Sequence, residues 1–251
     1  MLFRSLVAWP QSEAPRVLEL YRTLAEQAPP ELTLVTLLRN APPAPWLPKD
    51  VHGKPIIAIL ACYSGSPEEG EKIVAPIKSF GSPIGDVLVR RPYAQMQTLL
   101  DATQPKGRRY YWKSEYLPRI EPALCDKAIE HAARIRSPHS AVILFQIGGA
   151  LNQLEEDHSP AGNRDARYVL NVAGSWEQAG DDAANIQWAR DAWSDMRSFS
   201  TGGTYINFLT EDEGPERTRA ALGKGLRRLA EVKAKWDPQN VFRTNRNIAP
   251  A

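Results

Sequence analysis

Cysteine is scarce in this chain. Two residues in 251, Cys62 and Cys125, with no Cys-x-x-Cys pair, exclude a disulfide framework and a thiolate metal cluster, leaving at most one bridge between them. Long apolar runs are missing too. Ile56 to Cys62 and Ala141 to Phe145 fall far short of the ~20 residues needed to span a bilayer, so a soluble, cytoplasmic chain without a membrane partner is expected. Nor is there an excess of one charge. With 31 Lys plus Arg against 29 Asp plus Glu, a formal net charge of +2 and no basic arm, nucleic acid is not an expected partner. Residues 1–10 lack the sustained apolar stretch and small-residue cleavage site of a secretory signal.

What is present can build a core. Hydrophobic residues make up 43% of the chain, and the length suits one large domain or two small ones. The 21 prolines punctuate periodic segments and form no repeat. Strands are predicted at Leu2–Trp9, Leu32–Leu38, Pro55–Tyr63, Ile84–Arg90, Arg108–Ser114, Tyr168–Val172 and Thr204–Leu209, with two strand halves around Gly148-Gly149 between Ser140 and Leu154. A helix opening at Pro10-Gln11-Ser12 carries Val17, Leu20, Tyr21, Leu24 and Ala28 on one stripe and ends at Pro29-Pro30. Further helices are predicted at 66–79, from Pro92 through Leu99 and Leu100, at Glu121–Arg136, at Asp181–Phe199 and as one long helix over Pro215–Lys235. Strands arriving in adjacent pairs with helices between the pairs indicate an α+β fold, an antiparallel sheet covered by helices on one face.

Generic chemical motifs are absent. The sequence has no His-Glu-x-x-His, no Gly-x-Ser-x-Gly and no phosphate-binding Gly-x-x-x-x-Gly-Lys-Ser/Thr, and its four histidines lack metal-ligand spacing. His158 beside Glu155, Glu156 and Asp157 reads as an exposed acidic hairpin in preference to a cation site. The basic residues of the 215–235 helix read as a solvated face.

Three constellations stand out. In Tyr110-Tyr111-Trp112-Lys113-Ser114, strand alternation puts Tyr111 and Lys113 on one face and Tyr110, Trp112 and Ser114 on the other. Lys113 there is either a snorkelling packing residue, the preferred reading in isolation, or a cation–π or substrate anchor. In Tyr205-Ile206-Asn207 the phenol and the amide point to the same side directly after a Gly pair, and a phenol can serve as a general base, although a buried, hydrogen-bonded Tyr is the commoner case. The ending Lys235-Trp236-Asp237-Pro238-Gln239-Asn240, continuing through Asn245 and Asn247, packs three Asn behind a helix and is expected to dock onto something.

Taken together these residues resemble the berberine-bridge-enzyme-like FAD-linked oxidoreductases, within the vanillyl-alcohol-oxidase flavoprotein group. Lys233 to Ile248 match the family's ending, with Trp236 in the place of a Tyr. Tyr205 and Asn207 match its Tyr-x-Asn element, Trp112 to Ser114 its Trp-Lys-Ser strand and Gly148 to Ala150 its Gly-Gly-Ala strand, and the likeness includes Gly81-Ser82-Pro83 and Asp86. It covers the second half of the family's architecture and not the FAD-binding domain. The resemblance implies a substrate-binding domain over residues 1–200 and a C-terminal segment over residues 201–251 that packs, as a strand and a helix, on an FAD-binding domain supplied in cis or in trans. It implies FAD as cofactor, with no residue in this chain at the covalent attachment positions, and no metal. Tyr205 is then the base that takes a proton from an alcohol, sugar or amine substrate while hydride passes to the flavin. Asn207, Asn245 and Asn247 lie near the cofactor or brace Tyr205. Lys113, Gln146 and Asn171 line the substrate side of the sheet, and Lys113 is a candidate for lowering the Tyr205 pKa. Ala161 and Asn163-Arg164 depart from the aromatic and His-Arg of many relatives, which leaves the substrate open. A missing domain would leave an apolar face exposed. The competing expectation is a stand-alone small-molecule binding module, or a truncated fragment, without redox activity.

Overall fold

The computed structural model describes residues 2–98, 101–103, 105–156 and 158–251. Eight strands form one sheet in the order β4-β1-β3-β2-β7-β8-β6, with β5 also paired to β1 and every pairing antiparallel. The strands are β1 (Leu2–Pro10), β2 (Leu32–Asn40), β3 (Pro55–Tyr63), β4 (Gly85–Asp86), β5 (Val89–Arg91), β6 (Arg109–Leu117), β7 (Ala141–Gln146) and β8 (Tyr168–Trp176). The helices are α1 (Ala14–Glu26), α2 (Pro67–Lys78), α3 (Tyr93–Gln97), α4 (Pro122–Ala132), α5 (Ala150–Gln153), α6 (Asp182–Met196), α7 (Pro215–Leu222) and α8 (Gly225–Trp236). The α+β fold expected from the sequence is the fold observed.

Alternation along the strands sorts the side chains onto two unlike faces. Val7, Trp9, Leu34, Leu38, Ile57, Ile59, Val142, Leu144, Leu170 and Val172 point to one side and, with α1, α4 and α6, build a single core. Two of its large polar side chains find backbone acceptors: the Trp9 indole donates to Phe80 O at 2.8 Å and the Tyr21 hydroxyl to Leu144 O at 3.1 Å. The residues between them face the other way, away from α1, α4 and α6. At the β1–β3 end of that open face Ala8, Ile56 and Ala58 are covered by Leu47 and Trp46 from the proline-rich loop. Towards β6, Ile143, Phe145 and Trp112 remain half-buried.

The helix starts follow from local chemistry. Ser66 caps α2 by accepting from the Glu69 N–H at 3.3 Å, Pro67 occupies the first turn, and Glu68 and Glu69 sit at the positive end of the helix dipole. Elsewhere the structure corrects the sequence reading. The segment 84–90 is two short strands, because the Asp86 carboxylate accepts from the Leu88 N–H and turns the chain between them. The second strand half expected after Gly148-Gly149 is the short helix α5, held where the Asn152 amide donates to Ala166 O at 2.7 Å. The helix expected over Glu121–Arg136 ends at Ala132, and Leu99 and Leu100, assigned to the Pro92 helix, lie outside the described residues. No disulfide joins Cys62 and Cys125. Among the described residues no helix is long and apolar enough to cross a membrane and no cluster of metal-ligating side chains occurs; Asp157 lies outside them.

The single helix expected over 215–235 is α7 and α8, broken at Gly223, whose φ of 52° and ψ of −135° are open to glycine alone. A Cβ there would also lie 2.9 Å from Glu156 Oε1, an oxygen already accepting from the Asn163 N–H. Gly223→Ala is therefore expected to cost about 1–3 kcal/mol of unfolding free energy, read from the denaturant midpoint; an unchanged midpoint contradicts this.

Candidate active site

Beyond α6 the chain wraps around β6, the edge strand. Ser200 starts on the helix-covered side, where its hydroxyl donates to Glu115 Oε2 at 2.5 Å. The backbone then crosses the edge: the Thr201 N–H donates to Tyr116 O at 3.0 Å and the Tyr116 N–H to Gly203 O at 2.9 Å. Buried Thr204 donates its hydroxyl to Ser114 O at 3.0 Å. Residues 205–209 emerge on the open face, and Thr210 to Glu213 return to the covered side. An exposed edge is thus covered by the chain's own strap.

The strand expected over Thr204–Leu209 is instead a 3-10 turn at Ile206–Phe208. Thr204 is already spent on the β6 edge, and the turn lets Phe208 dock on the sheet. Its ring meets Trp112 edge-on at 5.6 Å, Tyr205 edge-on at 5.1 Å and Phe145 at 6.1 Å, and Tyr110 packs edge-on against Trp112 at 5.9 Å. Alongside lies a groove of about 420 Å³ lined by Lys106, Tyr110, Trp112, Asn207, Phe208 and Thr210 among others. Tyr205 is 38% exposed beside it, and the Asn207 amide donates to its hydroxyl oxygen at 2.7 Å. The neighbouring phenol of Tyr116 is pushed up to about 12, by burial first and then by Tyr205 and Glu156, so Tyr116 stays protonated through the neutral range.

Buried polar atoms of this face without a hydrogen-bond partner include the Trp112 indole N–H, the Ser175 hydroxyl and the side-chain oxygen of Asn171, which is 2% exposed. Asn171 stands opposite Ser114 in the β6–β8 register and so shares the open face with Trp112. The other two residues expected on the substrate side are turned the opposite way. Gln146 faces the helices, its amide donating to Ala25 O at 3.2 Å and its oxygen accepting from the Leu34 N–H at 2.9 Å. Lys113 is buried on the same covered face, because its ammonium finds Thr210 Oγ1 at 3.0 Å, Asp212 Oδ1 at 3.1 Å and Glu213 Oε1 at 3.4 Å there. It also lies 5.2 Å from the Tyr111 ring and 5.6 Å from that of Trp193, the arrangement of a packing lysine. Asn245 and Asn247 line a different groove, also about 420 Å³, between the tail and α7–α8. Arg246 between them donates to Thr210 O at 2.5 Å and ties the tail to the strap.

Asp212 is the hub on the covered side. It accepts from Thr210 Oγ1 at 2.6 Å, from Tyr111 at 2.6 Å and from Arg190 at 2.9 Å, as well as from Lys113. Burial pushes its carboxyl up, but these four donors outweigh that and hold it well below the usual carboxylate range. A carboxyl whose folded pKa is depressed contributes stability that is present above the unfolded value of about 3.9 and is lost as pH falls through the folded value. Hydrogen exchange in the strap is expected to stay slow down to pH 4 and to quicken below it. Exchange that quickens in the Asp212→Asn variant with the same pH dependence as in the wild type would contradict this.

The same sheet and strap architecture is found in proteins of known structure. Residues 204–249 match the family model described as berberine and berberine like. An FAD-linked oxidoreductase of Dictyostelium discoideum is 28% identical over 199 residues, 77% of this chain and 42% of its own. Tetrahydroberberine oxidase of Berberis wilsoniae is 26% identical over 176 residues, 62% of this chain and 33% of its own. The structure of wild-type BBE-like 1 of Physcomitrella patens superposes with a TM-score of 0.78 at 17% identity, over 99% of this chain and 54% of that one. The chain therefore resembles the berberine-bridge-enzyme-like FAD-linked oxidoreductases over nearly its whole length, and it spans less than half the length of the curated relatives it matches. The family's cofactor is a flavin.

Sequence reasoning missed Phe145 and Phe208, which complete the aromatic cluster, and Asp212, Glu115 and Arg217, which grip the strap. Phe208 is three residues after Tyr205, the spacing of one 3-10 turn, and that was the available signal.

Proposed function

We propose that this chain supplies the substrate face and the proton acceptor of an FAD-dependent oxidoreductase that oxidises an alcohol, sugar or amine. The observation that carries this reading is the Tyr205–Asn207 pair, set within the family-matched segment and held over an uncovered aromatic sheet face. The residues fit a flat bound group. Trp112, Phe145 and Phe208 offer apolar contact, while the Trp112 N–H and the Asn171 oxygen await partners that a ligand could supply. The Asn207 and Asn171 amides would hold the cofactor or substrate on this side, with Asn245 and Asn247 serving the cofactor from the tail. A bound flavin supplies an acceptor for hydride.

Within that frame the chain's own residues bind, orient and move a proton. The aromatic cluster holds the substrate against the sheet and excludes water. Asn207 donates to the Tyr205 oxygen and fixes its direction, so that the phenolate form can take the proton from the substrate's O–H or N–H as the donor carbon is oxidised. Protonated Tyr116 beside it adds no competing negative charge.

We assign residues 1–200 to substrate binding and residues 201–251 to closing the cofactor site, with the FAD-binding domain contributed in cis or in trans. We assign no covalent flavin bond to this chain. Supporting this, Cys125 lies in the covered core with its thiol pushed up to about 11, chiefly by burial, which leaves little thiolate. The test is anaerobic mixing of the flavin-loaded enzyme with panels of alcohols, sugars and amines. Bleaching of the flavin's visible absorption by at least one class is expected; flavin-loaded, folded enzyme that none of them bleaches would sink the proposal.

A further inference from the structure

The segment carrying Tyr205 is gripped on both limbs by two buried charged residues of the strand it encircles. On the incoming limb, Glu115, wholly buried, accepts from Ser200 Oγ at 2.5 Å and from the Trp193 indole at 2.7 Å. Arg217 bridges from Glu115, at 2.8 Å, to Gly202 O at 3.3 Å and Glu213 Oε2 at 3.0 Å. On the outgoing limb, Lys113 holds Thr210, Asp212 and Glu213. Lys113 and Glu115 are two residues apart on β6, on the face opposite Trp112 and Phe208. The residues that fix the strap therefore stand behind the sheet, away from the face on which Tyr205 emerges.

We infer that Lys113 and Glu115 are positioning residues that clamp the strap from the covered side of the sheet and so set the place of Tyr205 on the open side. The inference rests on the proposed role of Tyr205. Its physical basis is that buried ion pairs fix register: each leaves a charge stranded unless the strap sits where its partners are met. Both residues stand on the face opposite Trp112. Loosening the clamp lets the phenol wander, and a base misplaced by about 1 Å loses on the order of a hundredfold in rate, with substrate binding to the aromatic face left intact.

The test compares the wild type with Lys113→Met and Lys113→Arg in the flavin-loaded enzyme. It reads amide exchange in peptides covering 201–213 and 55–63, together with the substrate Kd and the rate of flavin reduction. For Lys113→Met, exchange at 201–213 is expected to quicken at least tenfold while 55–63 is unchanged, and the reduction rate to fall at least tenfold at constant Kd. Lys113→Arg, which keeps the charge, is expected to recover part of both. Folded Lys113→Met with wild-type exchange at 201–213 overturns the clamp. A loosened strap with an unchanged reduction rate upholds the clamp and overturns Tyr205 as the base instead. If Lys113→Met fails to fold, Asp212→Asn removes the clamp's partner from the more exposed side, with the same reading of exchange and rate.

Discussion

Replacing Tyr205 by Phe is expected to slow substrate-dependent flavin reduction by about 10² to 10⁴, the range over which a positioned general base contributes, without changing the amount of flavin the enzyme holds. The variant removes one oxygen. Among the described residues that oxygen's side-chain partner is the Asn207 amide at 2.7 Å, so its loss frees an exposed amide and strands no buried group. The ring that packs on Phe208 at 5.1 Å remains, and the fold should not register the change. Rapid-mixing absorbance separates the step from substrate binding: the limiting reduction rate falls and the Kd stays. An unchanged limiting rate removes Tyr205 from the chemistry.

Truncating Glu115 to Ala should produce the largest loss of stability, about 3 kcal/mol, at the lower end of the range for breaking a buried ion pair. Glu115 is fully buried among the Arg217 guanidinium, the Trp193 indole and the Ser200 hydroxyl, and all three lose their acceptor at once. The loss stays at the lower end because Arg217 keeps Glu213 at 3.0 Å. For a chain of this size such a loss corresponds to a fall in Tm of roughly 6 to 12 °C. A calorimetric scan of Glu115→Ala with its transition within about a degree of wild type would show that the pair is not the anchor of the strap.

Much of the sheet was legible because alternation and apolar runs are local. The full span of β3, Pro55–Tyr63, and the first half of β8 follow from residues such as Ile57, Ile59 and Leu170, whose side chains have one sensible destination. The pairing of Tyr111 with Lys113 on one face was legible for the same reason. Which face the helices would cover was not. That depends on Trp193 and Asp212 meeting Lys113, and on Trp193 meeting Glu115, across long stretches of chain, and nothing near Lys113 announces it. The family's motif pointed to the substrate side for Lys113 and Gln146, and non-local packing placed both behind the sheet.

The strap was misread for a different physical reason. Thr-Tyr-Ile-Asn-Phe-Leu alternates as a strand does, yet a strand needs a free edge to pair with. Thr204 is already bonded to Ser114, and the following residues turn to seat Phe208 between Trp112 and Phe145. The proximity of Tyr205 and Asn207 survived the error, because residues i and i+2 also meet across this turn. The break at Gly223 was hidden by the apolar stripe that runs through both halves, Leu222, Leu226 and Leu229, and it is the backbone angle of one glycine that separates them.

The most direct test of the account is a crystal structure of the flavin-loaded enzyme with a non-reactive substrate analogue. The account predicts the analogue on the open face against Trp112 and Phe208, with its hydroxyl or amine within roughly 2.6–3.2 Å of the Tyr205 oxygen. An analogue bound elsewhere, or on that face with Tyr205 turned away from its acidic proton, would contradict it.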